Sequence, residues 1–217
     1  SDANLTNANF TRSLMGSANL SDATIVKTDF TACNLINADF SGVTLQDVNL
    51  EKAGLSRAIF KGTEFNNVNM VGADLSLTIF DDVDLSKVRL QKAQFAQSTV
   101  EDMNFNGQDL TEVVFDKGKV AGSRFEKAKL NGTSFFDTEV SKNFFKNAQM
   151  LKADFDGAYI FKSIFDNAEL TKANFASANI ESSAFTGAKM TGANFSGAVL
   201  KKVDFTNADL TGMKINA

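Results

Sequence analysis

The chain of 217 residues contains no histidine, no proline and no tryptophan, and only one cysteine and one tyrosine. Without histidine there is no Ser-His-Asp or Cys-His catalysis, and the commonest metal ligand is missing. A single cysteine, Cys33, forms no internal disulfide and favours a reducing compartment. No apolar run approaches the ~18 residues of a membrane span. A cytoplasmic location is therefore the expectation, with a removed targeting segment, a plastid lumen or a secreted effector left open. The net charge of −4 is mild, which argues against a general nucleic-acid binder. No nucleophile–base pair, metal-ligand spacing or phosphate-binding glycine loop is present, so neither enzyme activity nor a cofactor is expected.

What the chain has is a strict period. Every residue numbered with a multiple of five, from Leu5 and Phe10 to Leu210 and Ile215, is Leu, Phe, Met, Ile or Val, although 43% of the sequence is hydrophobic. Two residues earlier the side chain is small: 39 of the 43 are Ala, Ser, Thr, Val, Cys or Gly, the exceptions being Met103, Gln108, Asn143 and Met213. Asp or Asn often precedes the central apolar residue, and Ser or Thr often follows it. A strand alternates every two residues and a helix every 3.6, so a period of five belongs to neither. A fixed short repeat instead predicts a solenoid in which each coil covers the apolar face of the next.

Units such as Ala-Asn-Leu-Thr-Asn (3–7), Ala-Asp-Phe-Ser-Gly (38–42) and Ala-Asn-Phe-Ser-Gly (193–197) resemble the pentapeptide repeat family. The resemblance implies an all-β fold: a right-handed quadrilateral parallel β-helix with four pentapeptides per coil, about eleven coils in one continuous domain over 1–217. At ~4.8 Å per coil it would be roughly 50 Å long. Residue stacking supports a twenty-residue coil independently. Phe105, Phe125, Phe145, Phe165, Phe185 and Phe205 fall in one column, Phe95, Phe115, Phe135, Phe155, Phe175 and Phe195 in the opposite one, and Val100, Val120, Val140, Ile160 and Ile180 in a third. The first residues and Lys214–Ala217 lie within repeats rather than caps, so an excised domain or end-to-end association, including a homo-oligomer, is expected.

The pattern is weakest over 96–145, where Gln108 and Asn143 require hydrogen-bond partners if they point inward. Twenty-residue spacing places Asp81, Asp82 and Asp84 near Glu101 and Asp102 as a candidate acidic patch. Lys142, Lys162, Lys201 and Lys202 reverse the charge further along. Three phenylalanines lie off the central positions: Phe136, Phe144 and Phe161. Phe144 with Ile164, and Phe161 with Tyr159, form the candidate partner-binding surface, unless Phe144 turns inward where Asn143 breaks the pattern. Ile59 and Ile79 form a smaller outward pair. The expected function is a non-enzymatic interaction scaffold presenting flat β faces to another protein. The alternative is a DNA mimic binding DNA gyrase, as in relatives that confer fluoroquinolone resistance, with the acidic patch as contact surface.

Overall fold

The computed structural model describes residues 3–80 and 82–216. Its corners follow from the Asp/Asn and Ser/Thr positions of the repeat. The carboxylate or amide oxygen ahead of the central residue accepts the backbone N–H two residues on, as Asn4 does from Thr6 at 3.0 Å and Asp29 from Thr31 at 2.9 Å. Where that residue is Ser or Thr its hydroxyl often donates to the same oxygen, as Thr31 does at 2.6 Å. The central C=O then accepts the N–H three residues on: Leu5 from Ala8 at 3.0 Å, Phe155 from Ala158 at 3.0 Å. Between them one residue has positive φ, for example Asn7 at 58° and Lys172 at 59°. This is a type II turn, normally a glycine position.

Among the described residues thirty non-glycine residues take that left-handed conformation, each at a cost of about 1–2 kcal/mol. Coil-on-coil bonding offsets the strain, because the strained residue donates its N–H to the following coil: Asn7 to Val26 C=O at 2.9 Å, Lys172 to Thr191 C=O at 2.9 Å. The parallel ladders run twenty residues apart, as in Asn9–Asp29–Asn49–Asn69 and Asn104–Arg124–Phe144–Ile164–Ala184–Asp204. The fold is therefore the expected parallel β-solenoid. It makes about nine turns rather than the nearly eleven given by dividing the pentapeptides by four.

The chain comprises two compact units, 1–99 and 100–217. In the first, β1 (Ile25–Val26), β2 (Thr44–Gln46) and β3 (Glu64–Asn66) form a three-stranded parallel sheet, and β4 (Val68–Asn69) pairs with β5 (Val88–Arg89). Its core mixes leucine with phenylalanine, Phe40, Phe60 and Phe80 being stacked at 5.2 and 5.8 Å. Cys33 is fully buried and its Sγ–H donates to Ser13 C=O at 3.2 Å. Burial pushes its thiol pKa up.

The second unit carries one six-stranded parallel sheet in the order β6 (Thr99–Glu101), β7 (Lys119–Ala121), β8 (Glu139–Ser141), β9 (Tyr159–Phe161), β10 (Asn179–Glu181) and β11 (Val199–Lys201). Its inward column is Val120, Val140, Ile160 and Ile180, all buried, in keeping with the preference of β-branched side chains for strands. Two phenylalanine columns fill the core. Along each column the rings stack, for example Phe135–Phe155 at 4.7 Å and Phe165–Phe185 at 4.6 Å. Across the core they meet edge to face, as Phe155–Phe165 at 5.8 Å and 84°.

Candidate functional site

The corner that follows β6–β9 is opened, as are the corners after β1–β3. Ser123 N–H does not close a turn onto Val120 C=O. Both groups are taken by Asn143, which is fully buried: its Oδ1 accepts from Ser123 N–H at 2.9 Å and its Nδ2 donates to Val120 C=O at 2.7 Å. One coil further, Ser163 Oγ accepts from Asn143 N–H at 3.2 Å and donates to Val140 C=O at 3.2 Å. A primary amide matches one donor and one acceptor, so Asn143 replaces the missing turn bond and flattens the face. With Asn143 satisfied inside, Phe144 stays outside, 37% exposed.

Along the flattened face, strand alternation sends positions on either side of the buried column outward. On β9 these are Tyr159 and Phe161, whose rings lie parallel at 6.2 Å and 10°. On β7 and β8 the corresponding inner row is Ala121 and Ser141, with Gly122 at the corner. The short side chains leave a groove of about 430 Å³. Glu101 and Asp102 wall it on one side, Tyr159 and Phe161 on the other, and Glu139, Lys119 and Lys142 complete its lining. Gly122 sits at φ +61°, and a Cβ there would fall 2.2 Å from Asp102 Oδ1. The Asp102 carboxylate therefore lies directly over the Gly122 backbone.

Lys119 Nζ meets Glu101 Oε1 at 2.6 Å. That bond, and then the charges of Glu101 and Glu139, hold the ammonium pKa above its ordinary value. Lys162 Nζ lies 4.9 Å from the Phe161 ring centroid, so a cation already rests on one aromatic of this wall. Around the corner, Phe144 and Ile164 pair on adjacent coils, and Arg124 lies 5.7 Å from the Phe144 ring. The four aromatic and aliphatic residues thus divide into two pairs on adjoining faces. Phe136 is half-buried with Lys117 at 5.8 Å.

The acidic residues behave less uniformly. Asp81 lies outside the described residues. Asp82, in the first unit, is an exposed corner at φ 54°. Asp84 accepts from Ser86 N–H at 2.8 Å and from its hydroxyl at 2.9 Å, a turn-capping role. In the second unit Glu101 is committed to Lys119, and Asp102 belongs to the groove. The lysine run is also broken, since Lys201 pairs with Glu181 at 3.2 Å. Ile59 and Ile79, 48% and 69% exposed, are ladder partners. Sequence reading passed over Lys119, Gly122, Glu139 and Ser141. Gly122, Glu139 and Ser141 lie twenty residues from Asp102, Tyr159 and Phe161, and Lys119 lies twenty from Glu139. Among the described residues no group of three or more His, Cys, Asp or Glu is placed to hold a metal, and no helix is long and apolar enough to cross a membrane.

Family models for pentapeptide repeats match residues 1–35, 26–62 and 58–93, and a pentapeptide repeat region model matches 158–217. The chain is similar in structure to HetL, a pentapeptide repeat protein involved in heterocyst differentiation regulation from the cyanobacterium Nostoc sp. strain PCC 7120 (20% identity, 97% of this chain and 86% of that one, TM-score 0.48). It is also similar to a pentapeptide repeat protein of the Arabidopsis thaliana thylakoid lumen (18% identity, 45% and 68%, TM-score 0.43). A third similar structure is QnrB1, a plasmid-mediated fluoroquinolone resistance protein (17% identity, 99% and 90%, TM-score 0.39). No curated protein matches the chain. The five-residue period, the twenty-residue ladder and the family-model matches together show that this chain belongs to the pentapeptide repeat family.

Proposed function

We propose that the chain is a non-catalytic interaction scaffold that presents the outer face of β6–β9 and the adjoining Phe144–Ile164 corner to a protein partner. The observation that carries this reading is the outward pair Tyr159 and Phe161, standing at the edge of a groove on a flattened sheet. Exposed aromatics beside polar rims are characteristic of contact surfaces. The rigid, ladder-bonded backbone supports it further, because such a surface loses little freedom on binding.

The test is site-specific photo-crosslinking from position 179, the exposed ladder neighbour of Tyr159, in extracts of the cells that make the protein. The expected result is a discrete protein adduct that excess untagged chain competes away and that Phe144→Glu/Tyr159→Glu/Phe161→Glu abolishes. Equal adduct yield from the triple variant would sink the reading. DNA gyrase supercoiling, measured with the unsubstituted chain and with Asp82→Asn/Asp84→Asn/Glu101→Gln/Asp102→Asn, tests the alternative of a DNA-mimicking topoisomerase ligand. Inhibition confined to the unsubstituted chain would replace the scaffold reading by that one.

A further inference from the structure

Resting on the scaffold reading above, we propose that the corner following β7–β9 binds an acidic, apolar segment of the protein partner through Arg124, Lys142 and Lys162. Elsewhere in this unit lysines take a carboxylate from the coil before them: Lys119 from Glu101 at 2.6 Å, Lys189 from Glu169 at 2.5 Å and Lys201 from Glu181 at 3.2 Å. At this corner the register supplies none. The ladder neighbours of Arg124 are Asn104 and Phe144. Twenty residues before and after Lys142 stand Gly122 and Lys162, and Lys162 is followed by Ser182. All three cations are exposed, and the two lysines hold left-handed corners at φ 58° and 50° on adjacent coils.

The carboxylates of this region have other partners. Glu101 and Glu181 are taken by Lys119 and Lys201. Glu139 accepts from Ser141 Oγ at 3.3 Å, and its charge also acts on Lys119. Asp102 lies over the Gly122 backbone, and Glu126 accepts from Asn106 Nδ2 at 3.2 Å. Among the described residues no carboxylate forms an ion pair with Arg124, Lys142 or Lys162.

Apolar side chains flank the lysine pair on both faces. On one face Phe144 carries Arg124 at 5.7 Å and is continued by Ile164 on the next coil. On the other Phe161 carries Lys162 at 4.9 Å, with Tyr159 parallel to it. The complement of this surface is a carboxylate for the cations beside an apolar side chain for the rings. Other anionic partners ask for more charge. Membrane-surface sites gather about 4–8 Lys or Arg, and binders of duplex phosphates make roughly 6–10 contacts. Three cations on a chain of net charge −4 fall short of both, whereas a peptide carrying one or two carboxylates is matched by them.

The experiment selects a phage-displayed library of short random peptides on the immobilised full chain and, in parallel, on Arg124→Gln/Lys142→Gln/Lys162→Gln. Glutamine already holds a left-handed corner at Gln97, φ 59°, so the substitution suits the backbone. Peptides enriched on the unsubstituted chain should carry Asp or Glu beside Leu, Phe or Trp. A synthetic copy of the most enriched peptide should bind the variant roughly ten-fold more weakly, the sum expected of three exposed charge contacts. Its Asn/Gln counterpart should lose as much on the unsubstituted chain. No enrichment, enrichment without acidic residues, or equal binding by the variant overturns the proposal. So does retention of a DNA duplex or of phosphatidylserine vesicles that the variant loses, because the patch then reads phosphates. The crosslinking from position 179 separates the two levels. Adducts lost with the three glutamates but unchanged in the glutamine variant would remove the acidic contact and keep the scaffold. Adducts unchanged in both variants would remove both, and adducts lost in both support both.

Discussion

The two units apply one repeat to different ends. In residues 1–99 the central positions mix leucine with phenylalanine, the sheets are short, and the inward residues after β2 and β3 are Val48 and Val68, which offer no hydrogen bond. In residues 100–217 two phenylalanine columns interlock, one face carries six strands, and Ser123, Asn143, Ser163 and Ser183 occupy the inward position behind that face. Those polar residues take up the backbone groups that an opened corner releases. The lesson is that a long flat face on this solenoid needs two things: β-branched residues in the column and a hydroxyl or amide one step beyond it.

The largest expected effect tests the phenylalanine columns. Phe155 is fully buried, stacked at 4.7 and 4.9 Å on Phe135 and Phe175 and edge-on to Phe145 and Phe165. Phe155→Ala should cost about 3–5 kcal/mol in urea unfolding. Leu50→Ala in the first unit lacks the ring contacts and should cost about 2–4 kcal/mol. A loss well under 1 kcal/mol for Phe155→Ala would reject the register, and a larger loss at Leu50 would reverse the contrast between the units.

Next comes the opened corner. Asn143→Leu leaves Ser123 N–H and Val120 C=O buried without partners, which should cost about 2–3 kcal/mol. Asn143→Ser, which restores the hydroxyl used at the neighbouring coils, should recover most of it. Equal destabilisation by both would mean that the amide serves packing rather than the released backbone groups.

Glycine corners should separate the units less. Nothing lies within 4 Å of a Cβ built on Gly42 or Gly107, and both have φ of +68°. Gly42→Ala and Gly107→Ala isolate the backbone term and should each lose about 1 kcal/mol. A marked difference between them would show that corner strain is set by the unit and not by the turn.

The smallest separation is expected in acid, because both units cap their corners alike. Asp29 in the first unit and Asp204 and Asp209 in the second have pKa values held below the usual carboxylate value, chiefly by the hydroxyls of Thr31, Thr206 and Thr211 and then by the same residues' N–H groups. A depressed folded-state value contributes stability that is present above the unfolded carboxylate pKa, near ~4, and is lost as pH falls through the folded value. Urea midpoints should therefore drop between pH 7 and pH 3. Asp29→Asn should reduce the drop, and a pH-independent midpoint would contradict the capping role.

Much of this was legible beforehand. Leu5 to Ile215 announce the five-residue period, and Phe105 to Phe205 announce the twenty-residue coil, because stacking like on like is visible as spacing. The aromatic pair Tyr159 and Phe161 and the pair Phe144 and Ile164 were legible as departures from the pattern. The groove was not. It exists because Ala121, Gly122 and Ser141 are small, and smallness is the rule in this sequence, so nothing marks these three. Nor could spacing reveal that Glu101 is taken by Lys119 or that Asp84 caps its own turn, since both depend on side-chain conformation.

The sequence by itself determined the repeat, the coil length, the inward columns and the Asx-capped corners, since each depends on neighbours five or twenty residues apart. Only the tertiary structure decided which corner opens and which outward residues meet across it. In the second unit the groups that an opened corner releases are met by Asn143 and its serine neighbours, and that is a matter of hydrogen-bond geometry that no period records.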